Sequence, residues 1–180
     1  MKDKLTIKAK REGFEARSAY KLIEINKKYR LLKRGNKVLD LGCWPGSWLQ
    51  VCRDIGCKVI GIDLRKTEIK GADTFQMNIF DDKIFELVNF DAIISDVAPT
   101  TSGNIEIDQY KSYELSKRAF DICKRLLKKN GNFLVKIFQS GDSNKLLNEM
   151  KKNFVLAKTV KPSASKKESK EIYFIGLGFK

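Results

Sequence analysis

Four side chains in this sequence have the types and settings to take a proton from a hydroxyl. They are Lys21 in RSAYKL, Asp96 in SDVAPTTSG, Lys136 in LVKIFQ and Glu171 in KPSASKKESKEIY. Moving a group onto an alcohol oxygen requires a base, or cations that stabilise the developing alkoxide. Lys136 lies between Val135 and Ile137 in an apolar, strand-like run. Desolvation and a second nearby cation both favour a neutral amine, the form that can accept a proton. Carboxylates beside two lysines would oppose full deprotonation and hold both in position. Ordinary Lys–carboxylate ion pairs have the same composition, so the residue types alone leave both readings open.

Composition narrows the chemistry. The 180 residues contain no histidine, and the four cysteines, Cys43, Cys52, Cys57 and Cys123, form no C-x-x-C pair. Cys/His zinc sites, Ser-His-Asp triads and Cys-His nucleophiles are excluded, and no metal site is expected. The cysteines read as small, reduced core residues. No apolar run is long enough to span a membrane and no signal-peptide segment opens the chain, so a cytoplasmic, membrane-free monomer is the expectation. The formal net charge is +14, and Lys2–Arg34 holds twelve Lys/Arg against four Asp/Glu. A second basic cluster, Lys158–Lys170, precedes Glu171. A nucleic-acid backbone is the natural counter-surface, with a solvated lysine-rich surface as the alternative.

The elements that must position these residues follow from periodicity. Residues 1–16 are basic, lack a clear pattern and read as a mobile arm; residues 17–180 read as one catalytic domain. Tyr20, Ile23 and Leu31 recur at near-helical spacing between Arg17 and Leu32. Strands are predicted at Lys37–Leu41, Lys58–Asp63, Thr74–Met77, Asp91–Ser95, Asn132–Phe138, Phe154–Val160 and Glu171–Gly178. Helices are predicted at Ser47–Ile55, Asp81–Val88, Asp108–Lys129 and Ser143–Asn153. Alternation of this kind implies an α/β fold, a seven-stranded mainly parallel sheet with helices on both faces. Lys161–Lys170 has no helical pattern, so the last strand is expected to pair antiparallel.

Ligands of open α/β sheets bind beyond the carboxyl ends of the strands. Gly42, Pro45 and Gly46 follow the first strand in DLGCWPGSW, and Asp63 ends the second, where an acid suits paired ribose hydroxyls. The turn lacks the G-x-G-x-x-G spacing of dinucleotide sites, and Pro45 removes one N–H from any pyrophosphate cradle. S-adenosylmethionine has no phosphate and does not need that cradle. An ordinary strand-to-helix turn is the alternative.

Taken in order, the five phrases resemble the FtsJ family of RNA ribose 2'-O-methyltransferases, from about Arg17 to Lys180. The resemblance implies a Rossmann-like methyltransferase fold and S-adenosylmethionine as cofactor. It implies a Lys21–Asp96–Lys136–Glu171 catalytic tetrad, which this sequence matches without substitution. Gly42 opens the family's cofactor turn. By resemblance Gly46 and Trp48 line the methionine side, Asp63 the ribose and Asn78 the adenine, with Asp96 near the methionine amino group. The chain departs from the family in having Ser47 for the usual Gly, Asn78 for the usual Asp, and a bulky Trp44.

RNA contacts are expected from Lys2–Arg34, Lys124-Arg125, Lys128-Lys129 and Lys161–Lys170, with Arg17, Lys166 and Lys167 as the leading phosphate ligands. Tyr20 could stack on a base, although its helix face favours packing. The expected substrate is a uridine in large-subunit ribosomal RNA, free or in an assembled subunit. Methylation of a transfer-RNA anticodon loop or a cap, a non-catalytic ribosome-assembly factor on this fold, and a nicotinamide-dependent oxidoreductase are the alternatives.

Overall fold

The computed structural model describes residues 3–166 and 168–180. Seven strands form one sheet: β1 (Lys37–Leu41), β2 (Lys58–Asp63), β3 (Asp73–Gln76), β4 (Phe90–Ser95), β5 (Leu127–Phe138), β6 (Phe154–Val160) and β7 (Glu171–Phe179). Their order is β3-β2-β1-β4-β5-β7-β6. β1 to β5 are parallel, and β7 runs antiparallel to both β5 and β6. The seven-stranded, mainly parallel sheet with an antiparallel last strand is therefore as the sequence predicts. Helices α1 (Lys4–Arg11), α2 (Ala19–Tyr29), α3 (Ser47–Ile55), α4 (Ile105–Leu126) and α5 (Ser143–Asn153) complete the fold, with a 3-10 turn at Asp82–Glu86. No helix among the described residues is long and apolar enough to cross a membrane.

Strand alternation sorts side chains onto two faces. Phe133, Val135 and Ile137 of β5 join Leu39, Ile93 and Phe120 in one core cluster, on the side of α4. Leu134 joins Val38, Ile94, Tyr173 and Ile175 in the other, on the side of α2 and α3. Lys136, two residues after Leu134, and Asp96, two after Ile94, therefore face α2. Glu171, two before Tyr173, shares that face. The period-2 rule thus brings three tetrad members to one side of the sheet, and α2 carries the fourth.

Several boundaries differ from the sequence reading. Lys4–Arg11, which shows no clear periodicity, is helix α1. Its apolar content is too small to set a pattern, and only Ala9 is buried. The Asp3 carboxylate caps it by accepting from Leu5 N at 3.3 Å, and three basic residues occupy its last turn. The buried face of α2 is Ala19, Lys21, Leu22 and Ile25, while Ile23 is exposed. Burying Leu22 and Ile25 contributes about 1.5–3 kcal/mol each. Tyr20 turns toward α1: its hydroxyl donates to Glu12 at 2.8 Å and its ring packs edge-on against Phe14. α4 begins at Ile105, three residues early, because Asn104 accepts from Glu106 N and Ile107 N. It ends before Asn130-Gly131, since Leu127 already pairs with Phe90 in the sheet. β3 lies one residue earlier than predicted.

Candidate active site

Asp96 is the first residue beyond β4, Lys136 lies near the end of β5, Glu171 opens β7, and Lys21 sits in the first turns of α2. The four converge. Lys136 Nζ lies 3.2 Å from Asp96 Oδ1 and 3.7 Å from Glu171 Oε1, and it donates to the Asp96 carbonyl at 2.7 Å. Lys21 Nζ donates to Glu171 Oε2 at 3.0 Å. Both lysines are buried, at 5% and 8% exposure, and two carboxylates balance their charge. Buried charges persist only when paired in this way. Burial pushes the Glu171 carboxyl up, but Lys136 and Lys21 outweigh it and hold the group below the usual glutamate range.

Sequence reasoning missed Tyr173. It pairs with Lys136 in the β5–β7 register, and its fully buried hydroxyl donates to Asp96 Oδ1 at 2.7 Å. Burial, followed by the Asp96 and Glu171 charges, pushes its phenol well above the ordinary tyrosine value, so it stays a donor. The available signal was its position two residues after Glu171 on the same strand face.

Beside Asp96 lies a cavity of about 350 Å³, lined by Gly42, Trp44, Asp63, Asn78 and Asp96 among others. Gly42 has φ +78°, and a Cβ there would lie 2.8 Å from the Val97 backbone, so glycine is required where β1 meets the β4 loop. The Asp63 carboxylate accepts from Trp44 N at 3.0 Å and Arg65 N at 2.8 Å, and its remaining lone pairs can accept hydroxyls. Asn78 Oδ1 accepts from Phe80 N at 3.0 Å, leaving its amide NH₂ as donor. Trp44, 49% exposed, stacks on the Arg65 guanidinium at 4.2 Å, which accounts for its bulk at the cavity mouth.

Gly46 and Trp48 do not line this cavity. Gly46 precedes α3 at φ +115°, where a Cβ would lie 2.5 Å from the Ile69 side chain. Trp48 is 2% exposed, and its indole N–H donates to Ser18 O at 2.9 Å. Ser47 Oγ shares a hydrogen bond of 2.7 Å with Ser18 Oγ. The start of α3 thus braces the start of α2, three residues before Lys21. This hydrogen bond also gives Ser47 a role that glycine could not fill.

Asp40 is a second residue the sequence reading passed over. It is fully buried and neither carboxylate oxygen has a hydrogen-bond partner. Burial, with Asp96 and Asp63 nearby, holds its carboxyl well above the usual range. The four cysteines are free and buried.

The basic surface is partly structural. Arg17 is ion-paired to Asp3 and hydrogen-bonded to the Ala164 carbonyl, so the fold already occupies its guanidinium. Glu24 accepts from Ser163 N at 2.9 Å, Ser163 Oγ at 2.7 Å and Ala164 N at 3.3 Å, tying the β6–β7 connection to α2. Lys166 is exposed in that connection, and Lys167 lies outside the described residues. A concavity of about 770 Å³ between α1 and the following turn carries Lys10, Arg11 and Arg17. It is larger than the cavity beside Asp96, yet it lacks the lysine–carboxylate chemistry; the smaller one adjoins the tetrad.

Comparison with known proteins places the chain in a family. The family model described as FtsJ-like methyltransferase matches residues 14–179. The Ribosomal RNA large subunit methyltransferase E of Methanothrix thermoacetophila is 45% identical over 183 residues, covering 97% of this chain and 72% of the relative. Its Archaeoglobus fulgidus namesake is 40% identical over 181 residues, covering 96% and 94%. A crystal structure of a Plasmodium falciparum protein, provisionally named a ribosomal RNA methyltransferase, superposes with a TM-score of 0.81 at 31% identity, covering 92% of this chain and 98% of that one. With the tetrad assembled at one end of the sheet, and the family matched over nearly the whole length, the chain belongs to the FtsJ-like methyltransferase family.

Proposed function

We propose that this protein transfers the methyl group of S-adenosylmethionine to a ribose 2'-oxygen in large-subunit ribosomal RNA. One observation carries the reading. Lys136 Nζ stands between Asp96, which lines the 350 Å³ cavity, and Glu171 on the other side. The cavity fits the cofactor's chemistry. Asp63 would supply acceptors for ribose hydroxyls, Gly42 would permit close backbone approach, and the Asp96 carboxylate would attract a cationic amino group.

S-adenosylmethionine supplies an electrophilic methyl on a sulfonium. The chain's own residues supply the rest. Once Lys136 has released its resting proton to solvent, its amine would take the 2'-hydroxyl proton, and the bound cofactor would supply the methyl and leave as the neutral thioether. The resulting ammonium is stabilised by Asp96 and Glu171, and Lys21 supports the developing alkoxide while pairing with Glu171. Tyr173 fixes the Asp96 carboxylate. Substrate RNA is held by Lys10 and Arg11 beside α1 and by Lys166 in the β6–β7 connection. Arg17 shapes that surface from beneath through Asp3 and Ala164. The ribosomal target rests on the relatives' names and on the surplus of positive charge.

The test is incubation with labelled S-adenosylmethionine and undermethylated large-subunit RNA, both free and in assembled subunits, followed by nucleoside mass spectrometry. A 2'-O-methylnucleoside supports the reading. A base-methylated nucleoside, or no RNA label, contradicts it.

A further inference from the structure

The amino edge of the sheet, at the opposite end from the tetrad, carries a row of cations that the catalytic cluster does not use. Lys58 opens β2, Lys129 lies in the opening stretch of β5, and Lys33 and Arg34 occupy the turn into β1. All four are exposed. We propose that this edge is a second RNA-contact surface, gripping a segment of large-subunit RNA remote from the nucleotide being methylated. The inference rests on the methyltransferase reading above and adds that the substrate is held at two separated places.

Position is the first support, and the strand register creates it. Parallel pairing sets Lys37 of β1 beside Lys58 of β2, and Phe90 of β4 beside Leu127 of β5. Gly35 N donates to Gly56 O at 2.9 Å, which ties the turn holding Lys33 and Arg34 to the one before Lys58. Neighbouring strands lie about 4.8 Å apart, so the row runs about 14 Å from β2 through β1 and β4 to β5. At about 3.3 Å per residue, Lys129 stands about 20 Å from Lys136 along β5. That exceeds the Debye length of about 8 Å at physiological ionic strength, so this edge and the catalytic end attract RNA independently.

Charge is the second. Among the described residues, none of Lys33, Arg34, Lys58 and Lys129 makes an ion pair. The cations between them are already engaged: Lys128 Nζ pairs with Asp91 at 2.8 Å, and Lys37 Nζ donates to Val88 O at 2.8 Å. Asp91 also accepts from Lys37 N at 2.8 Å, so the acid within the row is satisfied and leaves the other cations uncompensated. Helix macrodipoles account for basic residues in last turns, such as Lys151 and Lys152 of α5. Lys33, Arg34, Lys58 and Lys129 lie outside every helix, so no dipole calls for them. Uncompensated cations along one edge suit a phosphate backbone, whose counterions they would release.

The experiment compares the unaltered protein with a variant combining Lys33→Gln, Arg34→Gln, Lys58→Gln and Lys129→Gln, and with Lys129→Gln alone. Steady-state methylation is measured on the undermethylated large-subunit RNA that the unaltered protein labels. Filter binding is measured on that RNA and on a short stem–loop excised around the labelled nucleotide, with S-adenosylhomocysteine affinity and the melting midpoint as controls. The combined variant should raise the KM for the large RNA by about tenfold or more, and shallow the log–log salt dependence of its affinity by about 0.7–0.9 for each phosphate released. Lys129→Gln alone should raise that KM by about threefold. In both, kcat, stem–loop affinity, S-adenosylhomocysteine affinity and the melting midpoint should stay at the parental values. An unchanged KM for the large RNA in both variants overturns the second surface. An equal loss of affinity for the large RNA and the stem–loop overturns it too, since that marks a general loss of positive charge. Either result leaves the methyltransferase reading standing. Failure of the unaltered protein to label any RNA overturns that reading, and the second surface with it.

Discussion

Tyr173 donates its hydroxyl proton to Asp96 across 2.7 Å, from a strand position that pairs in register with Lys136. Asp96 Oδ1 is therefore held from two sides, by the Tyr173 hydroxyl and by Lys136 Nζ. Tyr173→Phe keeps the ring packing against Trp48 and removes only the donor. A hydrogen bond to a charged group is worth about 1.5–3 kcal/mol. The variant should fold, melt lower than the parent and transfer methyl more slowly, as read by calorimetry and single-turnover assay. A parental melting point and rate together would leave Tyr173 a packing residue.

Asp63 holds the turn after β1 through Trp44 N and is the chain's candidate for the cofactor ribose. Asp63→Ala should weaken S-adenosylhomocysteine binding by about 1–3 kcal/mol through loss of charged hydrogen bonds. Because Asp63 also accepts from two backbone N–H groups, Asp63→Asn separates the roles. It keeps one acceptor for the turn and should bind better than the alanine variant. Parental affinity in Asp63→Ala, measured by titration calorimetry, would remove the ribose from Asp63's role.

Asp40 makes stability depend on pH in a direction opposite to most carboxylates. Its folded-state pKa is raised, so the native state holds the proton more tightly than the unfolded chain does. The associated stability is complete below the unfolded value of about 3.9 and is lost as pH rises through the folded one. Asp40→Asn cannot ionise. Its melting temperature should exceed the parent's by a margin that grows from acid toward alkaline pH. Parallel melting-temperature curves for the two proteins would contradict the assignment.

The basic groove beside α1 should bind RNA through counterion release. Replacing Lys10 and Arg11 together by alanine should shallow the log–log salt dependence of RNA affinity by about 0.7–0.9 for each phosphate no longer neutralised. An unaltered slope would make α1 a solvated surface.

The sheet was legible because strand runs such as KVLDL and DAIIS have strong local patterns. Lys21, Asp96, Lys136 and Glu171 were picked out instead by the resemblance of their phrases to a family, and the fold brings the four side chains together. Tyr173 was not legible because a tyrosine in a buried strand looks like any core aromatic; only the β5–β7 register sets it against Asp96. Asp40 was hidden inside the glycine-turn phrase, since sequence does not say which strand residues lose all polar neighbours. Family resemblance set Trp48 beside the cofactor and positive charge made Arg17 a phosphate ligand; in the fold, long-range partners, Ser18 for one and Asp3 with Ala164 for the other, occupy their polar groups. The α2 face was misread because Lys21 lies on the buried side, where a charge interrupts the apolar pattern. That interruption is itself the trace of the site.

The central claim is that Lys136 takes the proton from the ribose hydroxyl. The most direct measurement is the single-turnover rate of methyl transfer by Lys136→Ala at saturating S-adenosylmethionine and RNA, with cofactor affinity measured alongside. General-base assistance is worth about 10²–10⁴-fold. The rate should fall by that order while cofactor affinity stays at the parental value. A parental rate in Lys136→Ala would contradict the account.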